Sequence, residues 1–104
     1  MSNVFHLIRG DTFPSVNINI PTPIGDSIYL VRSHLRDRFG NLLAELNVEA
    51  LGQDEFEISA IPYTITETFP VGNHVFDIEV TTYDGVRTTV CSGEIIVTPD
   101  VTRD

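Results

Sequence analysis

The sequence predicts an all-β domain of antiparallel strands packed as a two-layered sandwich, and three observations carry the prediction. Apolar residues recur with a period of two in one short segment after another, as in strands with one buried and one wet face. Gly, Pro, Asn and Asp punctuate these segments at roughly the 8 to 12 residue intervals of a β-sandwich. No stretch sustains a helical period long enough for a long helix.

The chain opens with Val4, Leu7 and Ile8 in a short first strand that ends at Gly10-Asp11, and Phe13-Pro14 follows as a turn or bulge. In the second strand Val16, Ile18 and Ile20 alternate with Ser15, Asn17 and Asn19. Pro21, Pro23 and Gly25 end it, because proline cannot donate to a ladder. Residues 27–36 form a third strand with Tyr29, Val31, Ser33 and Leu35 on one face and Ile28, Leu30, Arg32 and His34 on the other. Both faces begin apolar, which predicts a central position.

Residues 37–41 (DRFGN) have hairpin length, with Gly40 and Asn41 available for left-handed positions. The return strand runs from Leu42 to Ala50, pointing Leu42, Ala44, Leu46 and Val48 one way and Glu45, Asn47 and Glu49 the other. Gly52-Gln53-Asp54 turns the chain into a fifth strand, where Phe56, Ile58 and Ala60 alternate with Glu55, Glu57 and Ser59 before Pro62 closes it. Residues 63–71 are a connection with room for one helical turn over 64–69.

The organising stretch is residues 74–97. Phe76, Ile78 and Val80 alternate with Asp77, Glu79 and Thr81, and Asp84-Gly85 suits a two-residue type I′ turn. That turn sets Tyr83 against Val86, and so Val80 against Thr89, Ile78 against Cys91 and Phe76 against Gly93. A slip of one residue would drive Asp77 and Glu79 into the core. These readings give about seven strands in a single domain spanning residues 1–104, with 98–104 as a tail.

The chain has 104 residues, room for one core of ordinary size. Fifteen acids against six bases give a formal charge of −9, which argues against partners held by phosphate neutralisation, whether nucleic acid or anionic membrane. All six bases are arginines. A single cysteine, Cys91, makes neither an internal disulfide nor a thiolate zinc site, so the domain holds by packing alone. The first residues lack the basic and apolar regions of a signal peptide and no run approaches about 18 apolar residues, so the expectation is a soluble protein made in a cytoplasm.

The residues that do chemistry elsewhere fall in unpromising places. Asp77 with Glu79, and Glu55 with Glu57, read as wet faces of amphipathic strands rather than as acid–base or Ca²⁺ pairs. His6, His34 and His74 lie on three different strands, with no two at chelating spacing. Neither Ser33-His34 nor Cys91 belongs to a nucleophile motif, and Cys91 is expected to be a small buried residue inert to thiol reagents. Arg9-Gly10-Asp11 is strand punctuation, and no phosphate-binding glycine loop occurs. The chain therefore reads as non-enzymatic, with no catalytic, metal or cofactor residues.

Three stretches carry a resemblance: Arg9-Gly10-Asp11-Thr12-Phe13; the run VRSHLRD of residues 31–37; and the run PVGNHVFDIEV of residues 70–80. With the closing run GEIIVTPDVTR of residues 93–103, they are similar to the small immunoglobulin-like domains of phage and prophage virion proteins, including the N-terminal domain of baseplate upper proteins. The resemblance implies an immunoglobulin-like sandwich located in the virion. Its role there would be that of a structural adaptor or peripheral component of the tail, baseplate or fibre attachment, with other virion proteins as partners and a homo-oligomer among the possibilities. The alternatives are a capsid decoration protein and a carbohydrate-binding module. For the last, the candidate aromatic platforms are Tyr29, Phe39, Tyr63 and Tyr83, although aromatics near turns more often anchor them.

Overall fold

A computed structural model describes residues 3–21, 23–25 and 27–100. Its elements are β1 (Asn3–Ile8), β2 (Val16–Asn19), β3 (Ile28–Arg36), β4 (Leu42–Leu46), β5 (Val48–Ala50), β6 (Glu55–Ile58), α1 (Tyr63–Thr66), β7 (Gly72–Thr82) and β8 (Arg87–Thr98). A five-stranded sheet, β1-β8-β7-β3-β4, faces a three-stranded sheet, β2-β6-β5. β3 is flanked on both sides, as its two apolar faces predicted.

The core lies between the sheets. Leu7, Leu35, Phe76, Ile78, Val80, Ile95 and Val97 from the larger sheet and Ile18, Phe56 and Ile58 from the smaller are all buried. These are alternate residues of their strands, which is the period-two pattern realised in packing. Phe5, Phe13 and Phe76 form an aromatic cluster, Phe5 meeting Phe13 edge-on at 5.8 Å and stacking on Phe76 at 6.1 Å. Thr66 in α1 is fully buried, and its hydroxyl donates to the Asp11 carbonyl at 2.7 Å, tying the connection to the first turn.

Several expectations are corrected. Among the described residues there are eight strands, because the segment 42–50 is two elements rather than one. β4 pairs with β3 in the larger sheet, and after Asn47 the chain crosses to pair β5 with β6 in the smaller. The Asn47 carbonyl accepts from the Ser59 N–H at 2.8 Å, anchoring the crossing. A bulge that leaves Leu43 unpaired breaks the alternation of β4, so Leu42 is exposed. The pairing of β1 with β8 is parallel, Asn3 against Gly93 through Ile8 against Thr98, in an otherwise antiparallel fold. Thr98, counted with the tail, ends β8, and residues 101–104 lie outside the described residues.

The β7–β8 turn is also different. Thr82 N–H donates to Val86 O at 2.9 Å and Gly85 N–H to Thr82 O at 3.0 Å, so the loop holds three residues, Tyr83 to Gly85. A type I′ turn needs positive φ at both Asp84 and Gly85, and only Gly85 has it, at +88°. Val80 therefore pairs with Thr88 instead of Thr89. A bulge at Val90 then restores the count, and Ile78 meets Cys91 and Phe76 meets Gly93 as the alternation requires.

Candidate functional site

The eleven residues of β7 span about 33 Å at the usual rise per residue, so the molecule has two well-separated ends. Its extents, 50 × 25 × 23 Å, reflect that length. Each end carries exposed aromatic and aliphatic side chains.

One end is built on the β7–β8 turn and the start of β3. Ile28 pairs with Thr82 and Leu30 with Thr81, which leaves Tyr29 as the extra residue of a bulge. Its ring meets that of Tyr83 edge-on, with centroids 5.2 Å apart. Tyr29 and Tyr83 are 64% and 73% exposed, and Leu30 and Val86 beside them are exposed as well. The turn is tied down: Tyr83 N–H donates to Ser27 O at 3.2 Å, and the Thr82 hydroxyl donates to the Asp84 carboxylate. Next to this end, reaching Thr82 and Val86, is an apolar cleft of about 420 Å³ between Ile20, Pro21, Pro23 and Ile24 on one side and Val80, Val86 and Val90 on the other.

The opposite end is the β3–β4 turn. Asp37 accepts the Phe39 and Asn41 backbone N–H groups, each at 2.9 Å, and the Asn41 side-chain amide at 3.0 Å. These bonds, that from the Asn41 side chain foremost, hold the Asp37 carboxyl below its ordinary range. Only Gly40 of the two candidates takes a left-handed conformation, at φ +87°. The turn presents Phe39, 76% exposed, with the Arg38 guanidinium 4.9 Å from its ring centroid. Beside it is a cleft of about 530 Å³ reaching Val71, Asn73 and His74. His74 is buried; its Nε2 sits 2.6 Å from the Pro70 carbonyl, and Nδ1 has no hydrogen-bond partner.

The remaining polar candidates are spread over the sheet faces. His34 stands between Asp77 on β7 and Glu45 on β4, its Nε2 4.0 Å from the Glu45 carboxylate. Glu79 is opposite Arg32 and 3.7 Å from Arg87. Glu57 faces Glu49 across the β5–β6 ladder, and Glu55 accepts from the Asn17 amide at 3.4 Å. His6, on β1, is two strands from His74 on β7 and three from His34 on β3. Among the described residues no group of three His, Cys, Asp or Glu side chains converges as a metal site would need.

Cys91 is half-exposed rather than buried, at a small cleft shared with Asn3, Asn19 and Pro21. The Asn3 amide donates to its sulfur at 3.3 Å, and partial burial nonetheless raises the thiol above its ordinary range. Aromatics near turns more often anchor them, yet Phe39 and Tyr83 are the most exposed large apolar residues among those described. Their place at loop tips between alternating strands was the available signal.

No protein-family model matches the chain, and no curated protein matches it. Among solved structures it is similar to CopC from Methylosinus trichosporium OB3b, at 19% identity and a TM-score of 0.56, over 99% of this chain and 91% of that one. It is also similar to the fibronectin(III)-like modules of Clostridium thermocellum CbhA, at 15% identity and a TM-score of 0.48, over 95% and 91%. No described helix is long and apolar enough to cross a membrane. With two facing sheets, a shared core and a CopC-like course over nearly its whole length, the chain is an immunoglobulin-like β-sandwich.

Proposed function

We propose that this chain is a non-catalytic structural protein of a bacteriophage particle, an adaptor or peripheral component of the tail, baseplate or fibre attachment that works through protein–protein contacts. The observation that carries the reading is the Tyr29–Tyr83 end. Two exposed aromatic rings, flanked by Leu30 and Val86 and held on a hydrogen-bonded turn, are the kind of rigid apolar anchor that interfaces use. The motif runs at residues 9–13, 31–37 and 70–80 supply the virion context.

The test is to count copies of the protein in purified particles by quantitative mass spectrometry against the major capsid protein. A small multiple of three or six supports the tail or baseplate. Hundreds of copies assign it to capsid decoration instead, and absence from particles removes the virion reading.

A second reading, a carbohydrate-binding module for host surface glycans, is favoured by the exposure of Phe39 and Tyr83. Titration with host polysaccharide tests it. Binding that is lost in Phe39→Ala or Tyr83→Ala, with the fold intact, would establish it.

A further inference from the structure

Among the described residues, four strands form the edges of the two sheets: β1 and β4 in the larger, β2 and β5 in the smaller. Edge strands offer unpaired backbone groups to any other strand, and proteins blunt them with charge, proline, bulges or shortness. Three of these edges are blunted. β4 carries exposed Glu45 and the bulge at Leu43. β2 has four residues between Pro14 and Pro21, and β5 has three with Glu49 among them. Even the start of β3, which has no described strand beside it where the chain leaves for β5, bears Arg32 and the Tyr29 bulge.

β1 has none of these devices. Its six residues, Asn-Val-Phe-His-Leu-Ile, include no Asp, Glu, Lys, Arg, Pro or Gly, and it runs beside β8 without irregularity. Val4 and Ile8, on the face away from the core, are each 48% exposed. The strand is also self-complementary. In an antiparallel pair, residues directly opposite share a face. Centring two copies on His6 sets Val4 against the partner's Ile8 on the outer face, Phe5 against the partner's Leu7 on the inner face, and His6 against the partner's His6. Chains of charge −9 repel over most of their surface, and at this edge two can meet without setting carboxylates opposite one another.

We infer that β1 is a dimerisation edge: two copies pair antiparallel through β1 about a two-fold axis at His6, joining their larger sheets into one continuous ten-stranded sheet. Such a contact is isologous and closes at two subunits, so it makes a dimer and not a fibre. The inference stands on the edge alone and does not depend on the virion reading.

The test uses the full chain in analytical ultracentrifugation, with two sets of variants. The wild type is expected to sediment at twice 11.6 kDa. Val4→Lys with Ile8→Lys, at half-exposed outer-face positions that leave Phe5 and Leu7 untouched, is expected to abolish the dimer while the circular dichroism spectrum and melting curve stay folded. In a Cys91→Ser background, His6→Cys is expected to cross-link to a dimer on oxidation, since only the stated register brings the two residues 6 face to face. Hydrogen exchange at the β1 amides facing away from β8 provides the remaining readout. A monomer at all concentrations overturns the inference, whether those amides are protected by the chain's own terminal residues or only after a different protein is added. A dimer that survives the double lysine variant and yields no His6→Cys cross-link overturns it too.

Discussion

Phe76 and Gly93 face each other across the β7–β8 ladder, and the aromatic ring occupies the volume that a side chain at residue 93 would need. A Cβ there would lie 2.6 Å from Phe76 Cζ and closer still to the Asn3 carbonyl oxygen. The absence of a side chain is thus what lets Phe76 stack beneath Phe5 while β1 closes onto β8. Gly93→Ala should cost about 1–3 kcal/mol through overpacking, lowering the melting temperature by roughly 4–8 °C per kcal/mol. Combining it with Phe76→Leu should recover part of the loss beyond additivity, leaving the clash with Asn3. Additive losses in thermal melts would mean that the two residues do not compete for space.

The buried Thr66 hydroxyl bonds the Asp11 carbonyl at 2.7 Å, across 55 residues of chain. Thr66→Val keeps the shape and removes the donor, which should cost about 1–3 kcal/mol in urea unfolding. A variant as stable as the wild type would show that the connection is held by packing alone.

Asp37 has a lowered carboxyl pKa in the folded state because three N–H groups bond its anion. The sign follows from linkage: the stability it contributes is fully present above the unfolded value, near 3.8, and is lost as pH falls through the lower folded value. Asp37→Asn should therefore be less stable than the wild type at neutral pH, with the gap closing in strong acid. Chemical denaturation at several pH values measures it, and a gap independent of pH would contradict the assignment.

Cys91 is half-exposed, with its thiol pKa raised by partial burial. A thiol reagent should modify the native protein at neutral pH more slowly than the unfolded chain, and the native rate should climb with pH beyond the ordinary thiol range. No modification before unfolding would put Cys91 in the core after all.

Tyr83→Ala and Tyr29→Ala remove exposed rings, so each should shift stability by no more than about 0.5 kcal/mol. If their end of the molecule docks onto a neighbouring protein, incorporation of the variants into particles should fall while the melting curves stay in place. Normal incorporation of both would exclude this end as the anchor.

Much of the fold was legible because burial follows alternation. Phe56 with Ile58, and Phe76 with Ile78 and Val80, are buried where a period of two puts them. The same rule could not see where alternation runs on without punctuation: from Ala44 to Ala50 apolar and polar residues alternate throughout, and only the Ser59 bond to Asn47 and the pull of two different sheets divide them. Nor does a strand's own sequence encode the direction of its neighbour, which is why the parallel β1–β8 pair was unreadable. The candidate site was half-legible. Its aromatics stood out, but whether a turn aromatic folds inward or projects depends on the room beside it.

By itself, then, the sequence determined the class of fold, the buried face of most strands and the acidic surface, because these depend on residue chemistry and local period. The tertiary structure decided the turn at Tyr83, the bulge at Val90 that offsets it and the crossing at Asn47. It also decided the exposure of Phe39, Tyr29 and Tyr83. Each of these is set by what the rest of the chain brings alongside, Ser27 and Tyr29 beside Tyr83 above all, and contacts between residues far apart in sequence leave no mark on the local pattern.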